Sequence, residues 1–375
     1  MNIWEIFSRD SYFMGFQLNK TEMESEFDSR KNKEKFVSRS KSASNPVLRV
    51  GIVGAGLMGR WHAHAARKAG GEIVGVADTN QNQAVQLAKY YPTAQSFGDL
   101  REILNQKSLD VLHICTPTSS HHAIAEIAIK DNINLFIEKP LTLTAAETKH
   151  LYDLGAENNV HLCPAHQFAF QHCVQKAKKM LPRIGRIIHL QATVCSAGAA
   201  GLADKYLDSV AFDILPHPLS LFQTFLNGKL SEEAWDVSRP QRGELRISGY
   251  AHDVSLSIFV SMNARPTVNS LQIIGTNGTI HLDLFHDFAV LDKGKVSKGR
   301  KILHPFDSAV KKFSAATFNL ARRTIQFESA YPGLRRLVNN FYQTIREDAE
   351  PPISPAQAIN IAHIRDFLIY RAGIS

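Results

Sequence analysis

The sequence predicts an α/β protein with two domains, a doubly wound parallel sheet followed by an α+β domain with an open, largely antiparallel sheet. Strand-like and helix-like segments alternate over residues 47–165, which is the pattern of a parallel sheet with helical crossovers. A glycine-rich turn closes the first of these strands. After residue 187, several strand-like segments follow one another with short connections, which favours an antiparallel sheet.

The glycine-rich turn organises the rest of the chain. Residues 50–53 are mainly β-branched, and residues 54–59 read G-x-G-x-x-G. In this pattern the first glycine permits a tight turn, the second lets the backbone approach a pyrophosphate, and the third lets a helix pack on the strand. That helix presents unpaired N–H groups and a positive dipole end to the phosphates. We therefore predict a Rossmann domain that binds a dinucleotide through Gly54, Gly56, Leu57, Met58 and Gly59.

An acidic residue follows at the position where such a domain binds the adenosine ribose. The apolar strand 73–77 ends at Asp78, 19 residues after Gly59, and a spacing of about 20 is expected for a carboxylate on the ribose hydroxyls. The other interpretation is a solvated aspartate in a turn. Thr79 and Asn80 follow, with no arginine directly after Asp78 to accept a 2′-phosphate. The sequence therefore favours NAD(H) over NADP(H).

Two later strands of the first domain end in polar turns. The remaining predicted elements are helices at 81–90, 99–106 and 122–131 and strands at 94–97, 111–115, 134–137 and 160–163. Because ligands bind beyond the carboxyl ends of parallel strands, we expect the turns after 111–115 and 134–137 to line the cofactor cleft. These turns contain the candidate cofactor-binding residues Thr116, Pro117, His121, Glu138 and Lys139.

The second domain is predicted over residues 166–350, and a C-terminal helix within 351–375 is expected to pack back on the first domain. Predicted helices span 176–181, 210–225 (interrupted by Pro216 and Pro218), 334–349 and 355–371, and predicted strands span 187–194, 244–249, 254–262 and 270–274. Residues 276–279 read Thr-Asn-Gly-Thr. They predict a hairpin, because Asn-Gly accepts positive φ at both turn positions.

Composition excludes several classes of protein. The chain has 375 residues, of which 44% are hydrophobic and 21% charged, as in a globular protein large enough for two domains. No apolar segment approaches the ~20 residues that span a bilayer, and no secretory signal is apparent, so we expect no membrane partner. The four cysteines lack C-x-x-C spacing, which predicts neither a zinc site nor a disulfide framework and favours the cytoplasm. No metal is expected, since His161, His166 and His172 show no metal-ligand pattern.

The chain is basic, with a formal charge of +8 and a pI of about 9.2. Much of the excess lies in residues 293–312 and in the arginines Arg322, Arg323, Arg335 and Arg336. Neither zinc-finger spacing nor an RNP-type aromatic motif lies nearby. We interpret the charge as a solvated basic face that attracts anionic ligands, and we expect no nucleic-acid partner.

Residues 1–46 precede the first strand and are predicted to form a flexible extension. The segment begins with aromatic residues, and residues 30–44 are rich in Lys, Arg and Ser, as in flexible linkers. A disordered extension is one interpretation, and untranslated codons upstream of a start at Met14 or Met23 are another. A short segment that binds a partner or a membrane surface is the third.

Five short motifs occur in order along the chain. They are the glycine turn followed by Arg60 and His62, Thr116-Pro117 with His121, Glu138-Lys139-Pro140, Asp213 with His217 four residues later, and Gly275-Thr276-Asn277-Gly278. Together they resemble the glucose–fructose oxidoreductase / inositol dehydrogenase / rhizopine-catabolism (Gfo/Idh/MocA) family, from about Leu48 to the end of the chain. The resemblance implies an N-terminal Rossmann domain and a C-terminal domain whose open sheet carries the substrate and the interface of a homo-oligomer.

The resemblance also implies an activity. Most members oxidise or reduce a sugar, a polyol or a related compound with NAD(P), so we expect hydride transfer between NAD(H) and a hydroxyl or carbonyl group of a sugar, nucleotide sugar or polyol. Lys139 is implied as the active-site lysine, with Asp213 and His217 as its partners. His217 suits proton transfer, and the Lys139 ammonium suits charge on the substrate oxygen and a share in proton transfer. Asp213 suits either binding of a neighbouring hydroxyl or orientation of the other two residues. If the segment is helical, a spacing of four places Asp213 and His217 on one face.

Several departures from the family pattern concern the substrate pocket. Residues 166–170 read His-Gln-Phe-Ala-Phe, with Ala169 at the position of an arginine that family members often have. The glycine triad that usually precedes the catalytic aspartate is replaced by Leu-Asp-Ser at 207–209, and Leu215 stands where a glycine often lies. We therefore expect an altered pocket, and the identity of the substrate stays open.

Two other functions are open at this point. One is a non-catalytic, NAD-responsive regulatory protein of the same fold, although the presence of Lys139, Asp213 and His217 argues for chemistry. The other is an NAD-dependent lyase or glycosidase that uses transient oxidation. The sequence does not separate this reaction from a net oxidation or reduction.

Overall fold

The computed structural model describes residues 46–106, 108–197, 201, 203–226, 230–231, 235–294, 298–326 and 331–373. The extension predicted for residues 1–46, with Met14 and Met23, lies outside the described residues except for Pro46. The chain forms two compact units. The first comprises the residues up to Thr142 together with His150–Pro164 and Val338–Ile353, and the second comprises Leu143–Lys149, Ala165–Leu337 and Ser354–Ser375.

The first unit contains a six-stranded parallel sheet. Its strands are β1 (Leu48–Val53), β2 (Gly71–Ala77), β3 (Gln95–Phe97), β4 (Val111–Ile114), β5 (Asn134–Ile137) and β6 (Leu162–Pro164). They lie in the order β3-β2-β1-β4-β5-β6, and each neighbouring pair is parallel. The order reverses between β1 and β4, which is the switch point where doubly wound folds bind their ligands. The predicted doubly wound sheet is confirmed.

Helices connect these strands. They are α1 (Leu57–Lys68), α2 (Gln81–Ala88), α3 (Leu100–Gln106), α4 (Thr118–Lys130) and α5 (Ala145–Glu157). The predicted start of α4 at residue 122 is wrong by one turn, because Pro117 is the N-cap residue and the helix begins directly after it. Helix α5 is not among the predicted elements.

The second unit contains a seven-stranded mixed sheet. Its strands are β7 (Ile187–Cys195), β8 (Trp235–Ser238), β9 (Glu244–Ala251), β10 (Val254–Ser261), β11 (Val268–Gly275), β12 (Gly278–Asp283) and β13 (Phe288–Lys293). The order is β13-β12-β11-β7-β10-β9-β8. Among the pairings only β7 with β10 is parallel, which confirms the largely antiparallel sheet. Residues alternate between buried and more exposed along β9, β10 and β12, so one face of the sheet is open.

The hairpin predicted at residues 276–279 is confirmed, but its turn chemistry is not. Strands β11 and β12 pair through Gly275 and Gly278, yet neither Asn277 nor Gly278 has a positive φ. The turn is held from outside instead, since the Thr276 and Asn277 N–H groups donate to the carbonyls of Arg186 and Ile184 at 2.9 and 2.7 Å. Gly278 is needed for space, because a Cβ there would lie 2.6 Å from the Asp292 carbonyl oxygen.

The remaining helices of the described residues follow β6, and one of them lies mostly in the part of the first unit formed by Val338–Ile353. They are α6 (His172–Met180), α7 (Leu207–Ile214), α8 (Pro216–Leu226), α9 (Lys298–Gln326), α10 (Leu334–Glu347) and α11 (Pro355–Arg371). Helix α11 begins at a capping box formed by Ser354 and Gln357, and it belongs to the second unit. Its expected packing on the first domain stays a prediction. The basic segment 293–312, which we interpret from sequence only as a solvated face, is largely part of α9.

Candidate cofactor and catalytic site

The glycine turn between β1 and α1 has the geometry that its sequence predicts. Gly54 has φ +92°, and a Cβ on it would lie 2.6 Å from the Cys115 carbonyl oxygen. A Cβ on Gly59 would lie 1.8 Å from the carbonyl oxygen of Gly54. Both positions therefore exclude a side chain, one by its backbone angle and the other by the close approach of α1 to β1.

Gly56 differs from these two glycines, because a Cβ there would meet nothing within 4 Å. It is the N-cap residue of α1, and no side chain caps the helix. The N–H groups of Leu57, Met58 and Gly59 are in the first turn, where an α-helix supplies no intrahelical acceptor. Open space above a glycine, beside these donors and the positive end of the helix, fits the pyrophosphate of a dinucleotide.

Asp78 is tied to the glycine turn at the end of β2. Its Oδ2 accepts the Ala55 N–H at 2.7 Å, and its Oδ1 accepts the Asn80 N–H at 2.7 Å. Each carboxylate oxygen has a second lone pair. The carboxylate is therefore oriented by the backbone and keeps capacity to accept hydroxyl groups of a ligand.

His121 joins the ends of two neighbouring strands. Its Nε2 lies 2.8 Å from the Thr116 carbonyl oxygen after β4, and its Nδ1 lies 3.1 Å from that of Pro140 after β5. Burial lowers the pKa of His121, and the hydrogen bonds to these carbonyls work in the opposite direction. Thr116 is held further by the Ser120 hydroxyl, which donates to its Oγ1 at 2.8 Å. The ring thus shapes the turns that carry Thr116, Pro117 and Lys139.

A buried chain of polar side chains begins at Glu138. His62 Nε2 lies 2.9 Å from Glu138 Oε1, and His62 Nδ1 lies 3.2 Å from His113 Nδ1. His113 Nε2 lies 2.8 Å from the Tyr342 hydroxyl. Since a carboxylate only accepts, His62 carries a proton on Nε2. We call Glu138, His62, His113 and Tyr342 the buried polar chain.

Burial and neighbouring charge act in different directions within the buried polar chain. Burial raises the pKa of Glu138, but the hydrogen bond from His62 and the charges of His62 and Lys139 outweigh it and leave that pKa below its ordinary value. Burial, with His62 close by, holds the pKa of His113 well below its ordinary value. Glu138 is therefore ionised and His113 neutral near pH 7.

Lys139 lies two residues after the end of β5, at the ligand-binding edge of the sheet. Its N–H donates to Glu138 Oε2 at 3.0 Å, so the buried carboxylate fixes the backbone from which the lysine side chain extends. Lys139 is half-buried. Its position beside Pro140, which His121 contacts, is thus supported from two sides.

Asp213 and His217 belong to the second unit and have separate surroundings there. Asp213 lies near the C-terminus of α7, and 46% of its side chain is exposed. Its carboxylate accepts a hydrogen bond from Arg365 Nη2 at 3.4 Å. His217 is buried in the first turn of α8, and its ring stacks on Phe168 with 4.1 Å between centroids. Leu215 and Pro216 end one helix and begin the next, so the two residues do not share one continuous helix.

Sequence reasoning missed several of these contacts. His62 appears in a motif without a role, and His113, Tyr342, Phe168 and Arg365 have no predicted function. Tyr342 lies 229 residues from His113, and Arg365 lies 152 residues from Asp213. No local pattern relates positions so far apart. Among the described residues no cluster of His, Cys, Asp and Glu could hold a metal ion.

Comparison with known proteins identifies relatives of part of the chain. Residues 48–166 match the model of an oxidoreductase family with an NAD-binding Rossmann fold. A UDP-N-acetylglucosamine 3-dehydrogenase of Acidithiobacillus ferrooxidans is 33% identical over 119 residues, which cover 32% of this chain and 37% of that protein. A levoglucosan dehydrogenase of Pseudarthrobacter phenanthrenivorans is 30% identical over 224 residues, 52% of this chain and 56% of that protein. The chain thus spans less than two thirds of the length of either relative.

Solved structures resemble a larger part of the chain. A levoglucosan dehydrogenase in complex with NADH and levoglucosan has a TM-score of 0.72 at 20% identity and covers 88% of this chain and 98% of its own. The WlbA dehydrogenase from Bordetella pertussis, in complex with NADH and UDP-GlcNAcA, has a TM-score of 0.69 at 20% identity and covers 88% and 97%. At these identities the similarity shows a shared fold.

Proposed function

We propose that the chain is an NAD(H)-dependent oxidoreductase of the Gfo/Idh/MocA family, since residues 48–166 match an oxidoreductase family with an NAD-binding Rossmann fold and two relatives are sugar or nucleotide-sugar dehydrogenases. It transfers a hydride between nicotinamide and a hydroxyl or carbonyl carbon of a sugar, nucleotide sugar or polyol. The strongest support for this proposal is the geometry of the glycine turn. The glycine turn has open space at Gly56 beside the first turn of α1, and Asp78 is held against the same turn at 2.7 Å.

The residues of the first unit would hold the cofactor. The first-turn N–H groups of α1 bind the pyrophosphate, and Asp78 accepts the adenosine ribose hydroxyls. Thr116, Pro117, His121 and Lys139 complete the proposed cofactor site at the ends of β4 and β5, and Glu138 belongs to it by fixing the backbone at Lys139. When bound, nicotinamide supplies the hydride acceptor or donor. The Asp78 carboxylate disfavours a 2′-phosphate by charge repulsion, so NAD(H) is preferred over NADP(H).

Three side chains of this chain supply the remaining chemistry. The Lys139 ammonium stabilises negative charge on the substrate oxygen. His217 receives or returns the hydroxyl proton, since an imidazole nitrogen can accept or donate a proton. Asp213 accepts a neighbouring hydroxyl of the substrate through its half-exposed carboxylate. Their joint action on one substrate is part of the proposal.

Names of the relatives support a sugar or polyol as the substrate class. They include dehydrogenases of UDP-N-acetylglucosamine, levoglucosan and inositol. In this chain Ala169 and residues 207–209 depart from the family pattern, and Asp208 of this segment accepts from Arg239 at 2.6 Å. The Asp208 carboxylate is therefore engaged by another side chain of the protein. A paired aspartate in place of a glycine supports a pocket of altered shape.

We also propose that the protein forms a homo-oligomer and that it is located in the cytoplasm. The open face of the second sheet carries half-exposed polar residues such as His189, Gln191 and Ser257, which suits a homo-oligomer interface. The four cysteines are buried thiols without a disulfide, which suits the reducing cytoplasm. A nucleic-acid partner is not part of the proposal.

Turnover assays test the proposed function. Purified protein is assayed with NAD⁺ and NADP⁺ on UDP-N-acetylglucosamine, levoglucosan, inositol and related sugars, alongside His217→Asn and the exposed control His150→Asn. We expect NADH formation with at least one substrate, and a loss of about 100-fold in kcat for His217→Asn because proton transfer is impaired. The control retains wild-type kcat.

The same assay has outcomes that contradict the proposal. Binding of NAD⁺ without turnover of any substrate, in either direction, favours the regulatory protein. Release of an elimination or cleavage product without net NADH favours the lyase or glycosidase. Unchanged kcat in His217→Asn removes this residue from the mechanism.

A further inference from the structure

Helix α9 presents its apolar side chains to solvent. The large apolar residues along it are between 61% and 78% exposed, which is unusual for a helix that packs on a sheet. They are Ile302, Leu303, Phe306, Val310, Phe313, Phe318, Leu320 and Ile325. We call the set Leu303, Phe306, Val310, Phe313 and Leu320 the apolar stripe.

The spacing of the apolar stripe places its members on one side of the helix. They follow one another at intervals of three, four, three and seven residues, which repeat on a helical period of about 3.5. Five large side chains on one face, three of them neighbours along two turns, form a continuous exposed surface. Surfaces of this kind mark interaction sites in folded proteins.

The opposite face of α9 is the one that contacts the protein. Asn319 is buried and donates to the carbonyl of His286, and Arg322 pairs with the buried Asp287 at 2.7 Å. Ser308 lies 3.5 Å from Asp292 of β13. These polar contacts attach one side of α9 to the second unit, so the apolar stripe on the other side faces solvent.

The charge of α9 indicates what covers the apolar stripe. The helix sequence contains seven lysines and arginines and one acidic residue, Asp307. Lys311 pairs with Asp307 and Arg322 pairs with Asp287, whereas Lys312 is exposed. A second copy of α9 would carry the same excess of positive charge. An anionic lipid surface offers the opposite charge to the cations and an apolar layer to the phenylalanines.

We propose that α9 binds the surface of an anionic lipid bilayer, with the apolar stripe in the boundary between headgroups and acyl chains. The helix lies along the surface and does not cross it, since none of the described helices is long and apolar enough to span a membrane. This site departs from the expectation of no membrane partner and gives the basic segment 293–312 a role. It is independent of the proposed catalysis.

Sedimentation with lipid vesicles tests the proposal on the full-length protein. Vesicles of phosphatidylcholine alone are compared with vesicles that also contain phosphatidylglycerol. We expect at least about tenfold stronger binding to the anionic vesicles, and weaker binding as salt is raised because the charges are exposed. Substitutions in the apolar stripe are expected to leave catalytic turnover unchanged, because no stripe residue belongs to the proposed catalytic site.

Two variants and a matched control locate the binding surface. Phe313→Asp replaces a stripe residue that is 73% exposed, and Tyr370→Asp replaces an aromatic residue of α11 that is 80% exposed. We expect Phe313→Asp to weaken vesicle binding by about tenfold or more and Tyr370→Asp to leave it unchanged. Lys312→Glu weakens binding to anionic vesicles only. Circular dichroism checks that each variant is folded.

Three results would overturn the proposal. The first is equal, weak sedimentation of wild-type protein with both kinds of vesicle. The second is unchanged binding in folded Phe313→Asp. The third combines two observations: the wild type does not bind vesicles, and analytical ultracentrifugation shows a smaller oligomer for Phe313→Asp than for the wild type. That result would assign the apolar stripe to contact with a second copy of the chain.

Discussion

Two carboxylates of the proposed site, Glu138 in the first unit and Asp213 in the second, have contrasting surroundings. Glu138 is buried in the first unit, where His62 and the Lys139 N–H contact its two oxygens at 2.9 and 3.0 Å. Asp213, in the second unit, exposes 46% of its side chain and has a longer contact of 3.4 Å with Arg365. One carboxylate is enclosed and the other is accessible.

This difference assigns them different tasks. A buried carboxylate that already makes its hydrogen bonds would have to break them in order to bind a ligand, and this costs free energy. Glu138 therefore acts as a positioning residue that fixes the backbone at Lys139. Asp213 contacts solvent and can accept a substrate hydroxyl without breaking a buried interaction. The accessible carboxylate is the better candidate for substrate binding.

The largest expected effect concerns the residue that Glu138 positions. We predict that Lys139→Ala lowers kcat by about 1000-fold, because charge on the substrate oxygen loses its stabilising cation. The exposed Lys130→Ala serves as the control and retains activity. Steady-state kinetics give kcat, and fluorescence titration gives the Kd for NADH, which we expect to change less than kcat. A kcat within a few-fold of wild type would leave the lysine without a catalytic role.

The second prediction compares the two carboxylates directly. Glu138→Gln breaks the buried pair with His62 and is expected to cost about 3 kcal/mol in the free energy of unfolding. Asp213→Asn is expected to cost less than about 0.5 kcal/mol while it lowers kcat/KM by about tenfold or more. Urea unfolding and turnover are measured on both variants. The reverse ranking of stability would show that burial does not separate their tasks.

The third prediction uses the pH dependence of stability. Burial holds the pKa of His113 well below its ordinary value of 6.5, and the pKa values of His121 and Glu138 are also lowered. The unfolded chain then binds more protons than the folded chain, so stability falls as pH drops below about 6.5. We expect a slope of about 1 kcal/mol per pH unit from His113.

His113→Gln tests this assignment. The variant is expected to be less stable at pH 7.5 by about 1–3 kcal/mol, since the buried polar chain is interrupted. Between pH 7.5 and about 5.5 it loses less stability than the wild type, because one titrating group is gone. The exposed His150→Gln keeps the wild-type slope. Parallel pH profiles of wild type and His113→Gln would remove His113 as the cause.

The smallest effect is expected at Asp78. Asp78→Ala removes the acceptor for the ribose hydroxyls and is predicted to weaken NAD⁺ binding by about tenfold, with a smaller loss for NADP⁺. Calorimetric titration with both cofactors measures the difference. Because Asp78 also accepts the Ala55 N–H, Asp78→Asn serves as a control that keeps an acceptor oxygen. Equal losses for the two cofactors would remove Asp78 from the choice between them.

Sequence predicted the parts of the molecule whose physics is local. The turn at 54–59, the strand before it and Asp78 lie within one βαβ unit, so spacing and residue type suffice to recognise them. Contacts of Glu138 and Asp213 depend on His62, His113, Tyr342 and Arg365, which tertiary structure brings from distant positions. Helix α9 was missed as a structural element because its apolar residues lie among many cations. The spacing of its apolar residues at intervals of three and four is that of a helix, but this spacing alone does not tell which face is covered.

Our central proposal is that a cofactor bound at the glycine turn and the side chains of Lys139, Asp213 and His217 act on one substrate. A crystal structure with NAD⁺ and a substrate tests it most directly. We predict the reacting carbon about 3–3.5 Å from nicotinamide C4, with Lys139 Nζ and a ring nitrogen of His217 about 2.6–3.2 Å from the same substrate oxygen. The claim is contradicted if NAD⁺ occupies the glycine turn while these side chains face away from the nicotinamide.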